Sequence, residues 1–156
     1  MSIRIIIRNS LSALLLLASC KSGDTAATHL SAQNGIRYEA TRISNEAYED
    51  KGVLWLKIKL LGAEGQSPIR HNTAYGEYTA LLDYYLNHAQ EDIHLEACGR
   101  KISPVGYWFE NNYNLVGFDV INVGFDTEGM DTSCAGDGMV VFNDRNFKNG
   151  IIKLSY

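Results

Sequence analysis

The chain lacks an apolar run long enough to cross a bilayer. A spanning helix needs roughly 20 consecutive apolar residues, whereas the strongest stretch here, residues 11–18, is broken by Ser12 and preceded by Arg8, Asn9 and Ser10. Clustered Lys and Arg are missing as well. With 14 basic and 18 acidic groups in 156 residues the formal charge is −4, which argues against the concentrated positive surface that phosphate-backbone binding requires, so no nucleic-acid partner is expected. No internal repeat and no heptad run occurs, and the four histidines lie too far apart in sequence to suggest a zinc site.

Catalytic fingerprints are missing too: there is no G-x-S-x-G, H-E-x-x-H, P-loop or dinucleotide motif. His94, Glu96 and Cys98 share one face of an expected strand, but alternate strand residues stand about 6.6 Å apart, which puts His94 and Cys98 about 13 Å apart. A thiolate and its base must lie within hydrogen-bond reach, so no dyad forms and no enzyme is expected. Asp126, Glu128, Asp131 and Asp137 crowd the stretch FDTEGMDTSCAGDG. Calcium takes six to eight oxygens in general, yet the spacing misses the EF-hand pattern, so a solvated loop is expected, with no metal and no cofactor.

What the chain does have is an N-terminus in three zones: a basic start with Arg4 and Arg8, the apolar run, and small residues before Cys20. That is the layout of a secretory signal. Leu17-Ala18-Ser19-Cys20 resembles the lipobox of bacterial lipoproteins, a family defined by export rather than by fold. The resemblance covers residues 1–20 alone. It implies that residues 1–19 are removed and that Cys20 carries diacylglycerol on its thiol as the first mature residue; no cofactor besides this covalent lipid is expected. Several acyl chains hold a protein on a bilayer firmly, at about 0.8 kcal/mol per buried methylene. Lys21 rather than Asp follows the cysteine, which in the family's sorting rule implies the outer membrane, with the periplasmic face expected.

Removing residues 1–19 deletes two basic groups and no acids, leaving 12 against 18 and a formal charge of −6. Residues 20–34 then carry the lipidated cysteine and KSGDTAATHLSAQN, whose only large aliphatic is Leu30; such a segment buries too little to order itself and reads as a flexible tether. Its fourteen residues after Cys20 span roughly 20 Å r.m.s.. An N-terminal strand added to the sheet is the alternative. Residues 35–156 suit a single globular domain.

Within that domain the period is mostly two. Ile36, Tyr38 and Ala40 alternate with charged residues, and Leu54, Leu56, Ile58 and Leu60 alternate with Trp55, Lys57, Lys59 and Leu61. Ile93, Leu95 and Ala97 do the same, and further strands are expected at 105–109, 115–125, 139–142 and 151–156. One helical period intervenes, with Tyr75, Tyr78, Leu81, Leu82, Tyr85, Leu86 and Ala89 on one face and Asn72 or Thr73 as cap. Six or seven short strands with one helix predict a mainly β, sandwich-like domain; a small α+β sheet with the helix packed on one face is the alternative.

Cys98 and Cys134 remain to pair with one another, and an oxidising envelope favours a disulfide. Its 36-residue loop would stabilise the fold by about 3–4 kcal/mol on a chain-entropy account. Tyr107, Trp108, Phe109 and Tyr113 bracket Asn111 and Asn112 in YWFENNY, and such aromatics offer rigid apolar area with polar tips for binding a partner. The terminal GIIKLSY reads as a sheet edge. The function expected is a membrane-anchored adaptor or structural lipoprotein that binds other envelope proteins. In size and layout the chain resembles the small sandwich lipoproteins of secretion machines, an analogy of architecture. An inhibitor or immunity lipoprotein that blocks an incoming hydrolase through the 126–137 loop, and a carrier of a small ligand or sugar, are the alternatives.

Overall fold

The architecture follows from the period-two rows. A computed structural model of the chain describes residues 28–31, 35–43, 52–71, 75–112 and 115–156. Its strands are β1 (Thr28–Ser31), β2 (Arg37–Arg42), β3 (Val53–Leu61), β4 (Ile93–Ala97), β5 (Arg100–Ile102), β6 (Pro104–Glu110), β7 (Phe118–Asp126), β8 (Met139–Asp144) and β9 (Gly150–Ser155). The helices are α1 (Pro68–His71), α2 (Tyr75–Asn87) and α3 (Thr132–Gly136). Cys20, and Asn72 and Thr73 as possible caps of α2, lie outside the described residues.

The strands form two antiparallel sheets, ordered β1-β2-β3-β7-β6 and β5-β4-β8-β9. Leu54, Leu56, Ile58 and Leu60 of β3 point inward with Ile121, Val123 and Phe125 of β7, and meet Ile93, Leu95, Val140, Phe142, Ile152 and Leu154 of the second sheet in a single core. Full burial of each such side chain contributes roughly 1.5–3 kcal/mol, so the two facing rows define a mainly β sandwich. β9 is an edge of its sheet, as the GIIKLSY pattern suggests. The α2 helix buries Leu81 and Tyr85 against this core, and Tyr78 and Tyr84 pack beside them.

Three elements differ from the sequence expectation. β1 pairs with β2, Thr28 opposite Ala40 and Ser31 opposite Arg37, so part of the stretch read as a tether lies at the sheet edge. The short β5 was not anticipated, because three residues are too few to show a period. β7 starts at Phe118 rather than at 115. Its start is displaced because Gly117 sits hard against the 63–65 turn: a Cβ there would lie 1.9 Å from the Gly65 carbonyl oxygen, and the chain bends through 115–117 to reach that contact.

Candidate partner-binding surface

The residues of YWFENNY separate by strand parity. On β6, Tyr107 and Phe109 pair with Val123 and Ile121 of β7 and share their inward face. The Tyr107 hydroxyl donates to the Tyr85 carbonyl, and Phe109 stands 5.5 Å from the Tyr85 ring. Both aromatics therefore brace α2 against the sheet. Burial pushes the Tyr107 hydroxyl pKa well up. Trp108, one residue out of phase, lies on the outer face. Tyr113 lies outside the described residues.

On that outer face Trp108 meets Trp55 of β3, with ring centroids 5.1 Å apart and planes tilted by 51°. The meeting depends on two glycines. Gly106 and Gly124 are register partners on β6 and β7, and Cβ atoms on them would lie 2.3 and 2.8 Å from Trp55 Cη2. The Trp55 ring occupies the space those side chains would fill. Below it, Asn122 Nδ2 donates to Glu110 Oε1 at 2.6 Å, and Lys57 and Lys59 continue the outward row of β3. Nothing in the local sequence singles out Trp55. The signal that could have found it is a glycine in the interior of each of two strands, which marks a close approach.

The loops at one end of this sheet carry the most exposed aliphatic group among the described residues. Leu115 is 86% exposed and Val116 follows it at 37%. The turn is closed by the Leu115 N–H donating to the Asn112 carbonyl at 2.8 Å and by the Gly117–Gly65 approach. Leu61 and Phe118 pair at the neighbouring strand ends. Beside them is a groove of about 430 Å³ lined by Gly35, Ile36, Arg37, Leu61, Gly62, Ala63, Gly65 and Gly117. The Lys59 ammonium lies 5.1 Å from the Phe118 ring centroid, and Arg37 pairs with Glu39 at 3.3 Å.

This end is fastened from beneath. Ser67 Oγ donates to the Asp119 carboxylate at 2.8 and 2.9 Å, and the Ile69 N–H donates to the same group at 3.1 Å, so a buried aspartate of β7 holds the first turn of α1. Burial raises the Asp119 pKa, partly offset by these donors. Nearby, the Tyr38 hydroxyl and Asn149 both donate to Asp144 Oδ2, while the Asn146 and Phe147 N–H groups donate to Oδ1. Tyr84 donates to Asp92 Oδ2 at 2.7 Å, and Arg145 pairs with Asp92 Oδ1.

Cys98 and Cys134 are joined in a disulfide, with Cα atoms 5.4 Å apart. The bond ties the β4–β5 turn, where Cys98 adopts a φ of 51°, to α3. Two acids of the 126–137 loop, Asp126 and Asp131, act as local caps. Asp126 accepts from the Glu128 N–H. Asp131 accepts from the Ser133 N–H at 2.9 Å and from its hydroxyl at 2.8 Å, which holds the Asp131 carboxyl below the usual aspartate range. Among the described residues no three His, Cys, Asp or Glu side chains converge as a metal-ligand group. His94 and Glu96 do meet, at 3.5 Å, but Cys98 is committed to its disulfide and supplies no thiolate. Burial first, then Lys101, lowers the His94 pKa.

The arrangement is thus a tied framework with apolar groups displayed at the end of one sheet. Comparison with known proteins returns no match: no family model, no curated protein and no solved structure matches the chain.

Proposed function

We propose that this chain is a cell-envelope lipoprotein, anchored in the outer membrane through lipid on Cys20, whose β-rich domain acts without catalysis as an adaptor or structural component that binds other envelope proteins, in a secretion-type assembly. The observation that carries the reading is Leu115, which is 86% exposed, with its N–H bonded to the Asn112 carbonyl and with Gly117, two residues on, set against Gly65. An aliphatic side chain displayed on a fixed base is preorganised for docking, because little ordering entropy is lost when it inserts. The half-buried indoles of Trp55 and Trp108 add rigid apolar area on the same sheet face.

The test is an in-cell cross-linking pull-down of the tagged protein beside a Cys20→Ala variant, with metabolic acyl labelling of both. Acyl label on the parent alone, and a fixed set of envelope proteins recovered only with the lipidated form, support the adaptor. A hydrolase recovered equally with both forms supports inhibition instead. One observation favours that second reading: the 126–137 loop is braced by the disulfide, by the Asp131 cap, and by the Tyr156 hydroxyl donating to the Ala135 carbonyl at 2.7 Å.

A further inference from the structure

The exposed aliphatics do not stand alone. Leu115 and Val116 lie in sequence beside Phe118, which pairs with Leu61, which in turn pairs with Arg37. Leu61 and Phe118 are half-buried, so the row continues the apolar surface from the loop onto the outer face of the sheet. Cations border it. Arg37 lines the groove, Lys59 lies over Phe118, and Lys57 follows on the same strand face. Glu39 of β2 stands opposite Lys59 on this face but is held by Arg37 at 3.3 Å, and among the described residues neither Lys57 nor Lys59 forms an ion pair. Glu110, the nearest outward acid on β6, is already engaged by Asn122.

We propose that this end of the five-stranded sheet docks a protein partner that presents an apolar socket rimmed by carboxylates, with Leu115 as the inserting group and Lys57 and Lys59 facing the acidic rim. This rests on the adaptor reading and names the partner chemistry of the same site. Central aliphatic insertion supplies affinity, while exposed charge pairs set approach and orientation.

The test places a photo-cross-linking amino acid singly at positions 115, 105 and 151 of the full lipidated chain in its own envelope. Val105 and Ile151 are also exposed but lie on β6 and β9, away from the proposed site. The expected result is one product of fixed mass from position 115 and none from the other two. The cross-linked protein, purified separately, then binds the parent domain with an affinity that Leu115→Asp weakens about tenfold or more, that Lys59→Glu weakens, and that falls with added salt. Leu115→Asp changes an exposed side chain and Lys59→Glu a half-buried one on the outer face, and a melting curve of each variant beside the parent separates lost binding from lost fold. Products from 105 or 151 alone overturn this inference and leave the adaptor reading standing. A product that is a second copy of the chain, or lipid, from position 115 overturns it as well. Absence of protein products from all three positions overturns both.

Discussion

The Tyr38 hydroxyl donates to the Asp144 carboxylate, linking β2 of one sheet to the end of β8 in the other across 106 residues of sequence. Both residues are fully buried, and Asn149 donates at 2.8 Å to the same hydroxyl. The hydroxyl pKa is pushed far up by burial and by the adjacent Asp144 charge, so Tyr38 is held as a neutral donor. Removing it in Tyr38→Phe leaves a buried carboxylate oxygen short of a donor, at a cost of about 1–3 kcal/mol. Urea unfolding of the parent and variant, with unchanged slope, measures it.

Tyr85 gives the opposite sign. Its hydroxyl is buried without a hydrogen-bond partner among the described residues, while its ring packs between Phe109 and Phe147. Tyr85→Phe removes a polar atom that gains nothing from burial and keeps the ring, so the variant is expected to be more stable by roughly 1 kcal/mol or more. A lower midpoint in the same urea titration would mean that the hydroxyl has a donor or acceptor after all.

The Trp55 site is expected to be non-additive. Gly124→Ala places a methyl 2.8 Å from the indole, an overpacking of about 1–3 kcal/mol. In a Trp55→Ala background the obstruction is gone and the same substitution becomes neutral or favourable. A double-mutant cycle reads the coupling directly. Additive effects would show that the ring moves aside freely.

Reduction of Cys98–Cys134 opens a loop of 36 residues, with an expected loss of about 3–4 kcal/mol. Cys98→Ser/Cys134→Ser should show the same loss without reductant. Alkylation before and after reduction, read by mass, checks the pairing independently.

Asp131 supplies a pH dependence. Its carboxyl pKa is lowered by the Ser133 N–H and hydroxyl, so the folded state favours the ionised form. The resulting stability is present above the ordinary aspartate pKa of about 3.9 and is lost as pH falls through the lowered folded value. Asp131→Ala should therefore melt below the parent at neutral pH, and the two curves should converge as pH falls below 4. A gap that persists at low pH would assign the effect to something other than the charge-assisted cap.

Much of the fold was legible because alternation is a one-dimensional signal. Leu54, Leu56, Ile58 and Leu60 announce their face whatever lies opposite, and the 3.6-residue spacing of Tyr78, Leu81 and Tyr85 does the same for α2. The cysteines were legible by elimination. Asp119 and Asp144 were not, since a buried acid resembles a surface acid until its donors are known, and those donors sit at the start of α1, on β2 and in the β8–β9 turn. Trp55 was hidden among lysines on the polar phase of β3, with its two glycines more than 50 residues away. Residues 115–117 read as strand because the run is apolar; only the backbone approach of Gly117 to Gly65 shows that they bend and leave Leu115 outside. Tyr107 and Phe109 read as members of one contact cluster with Trp108 and Tyr113, and alternation alone puts about half of such a cluster inside; the register with Val123 and Ile121 shows that these two are the inward ones.

The pairing of β3 with β7 runs over nine register partners, from Val53 opposite Asp126 to Leu61 opposite Phe118. Neither strand can complete its ladder until the 56 residues between them have been made and folded back, and closing so long a loop slows folding. On the export reading proposed above, a precursor that threads a translocation channel before it folds would gain from this delay. The central pair ties closure of the sheet to chain length: β3 has no partner on that side until residues 118–126 are present.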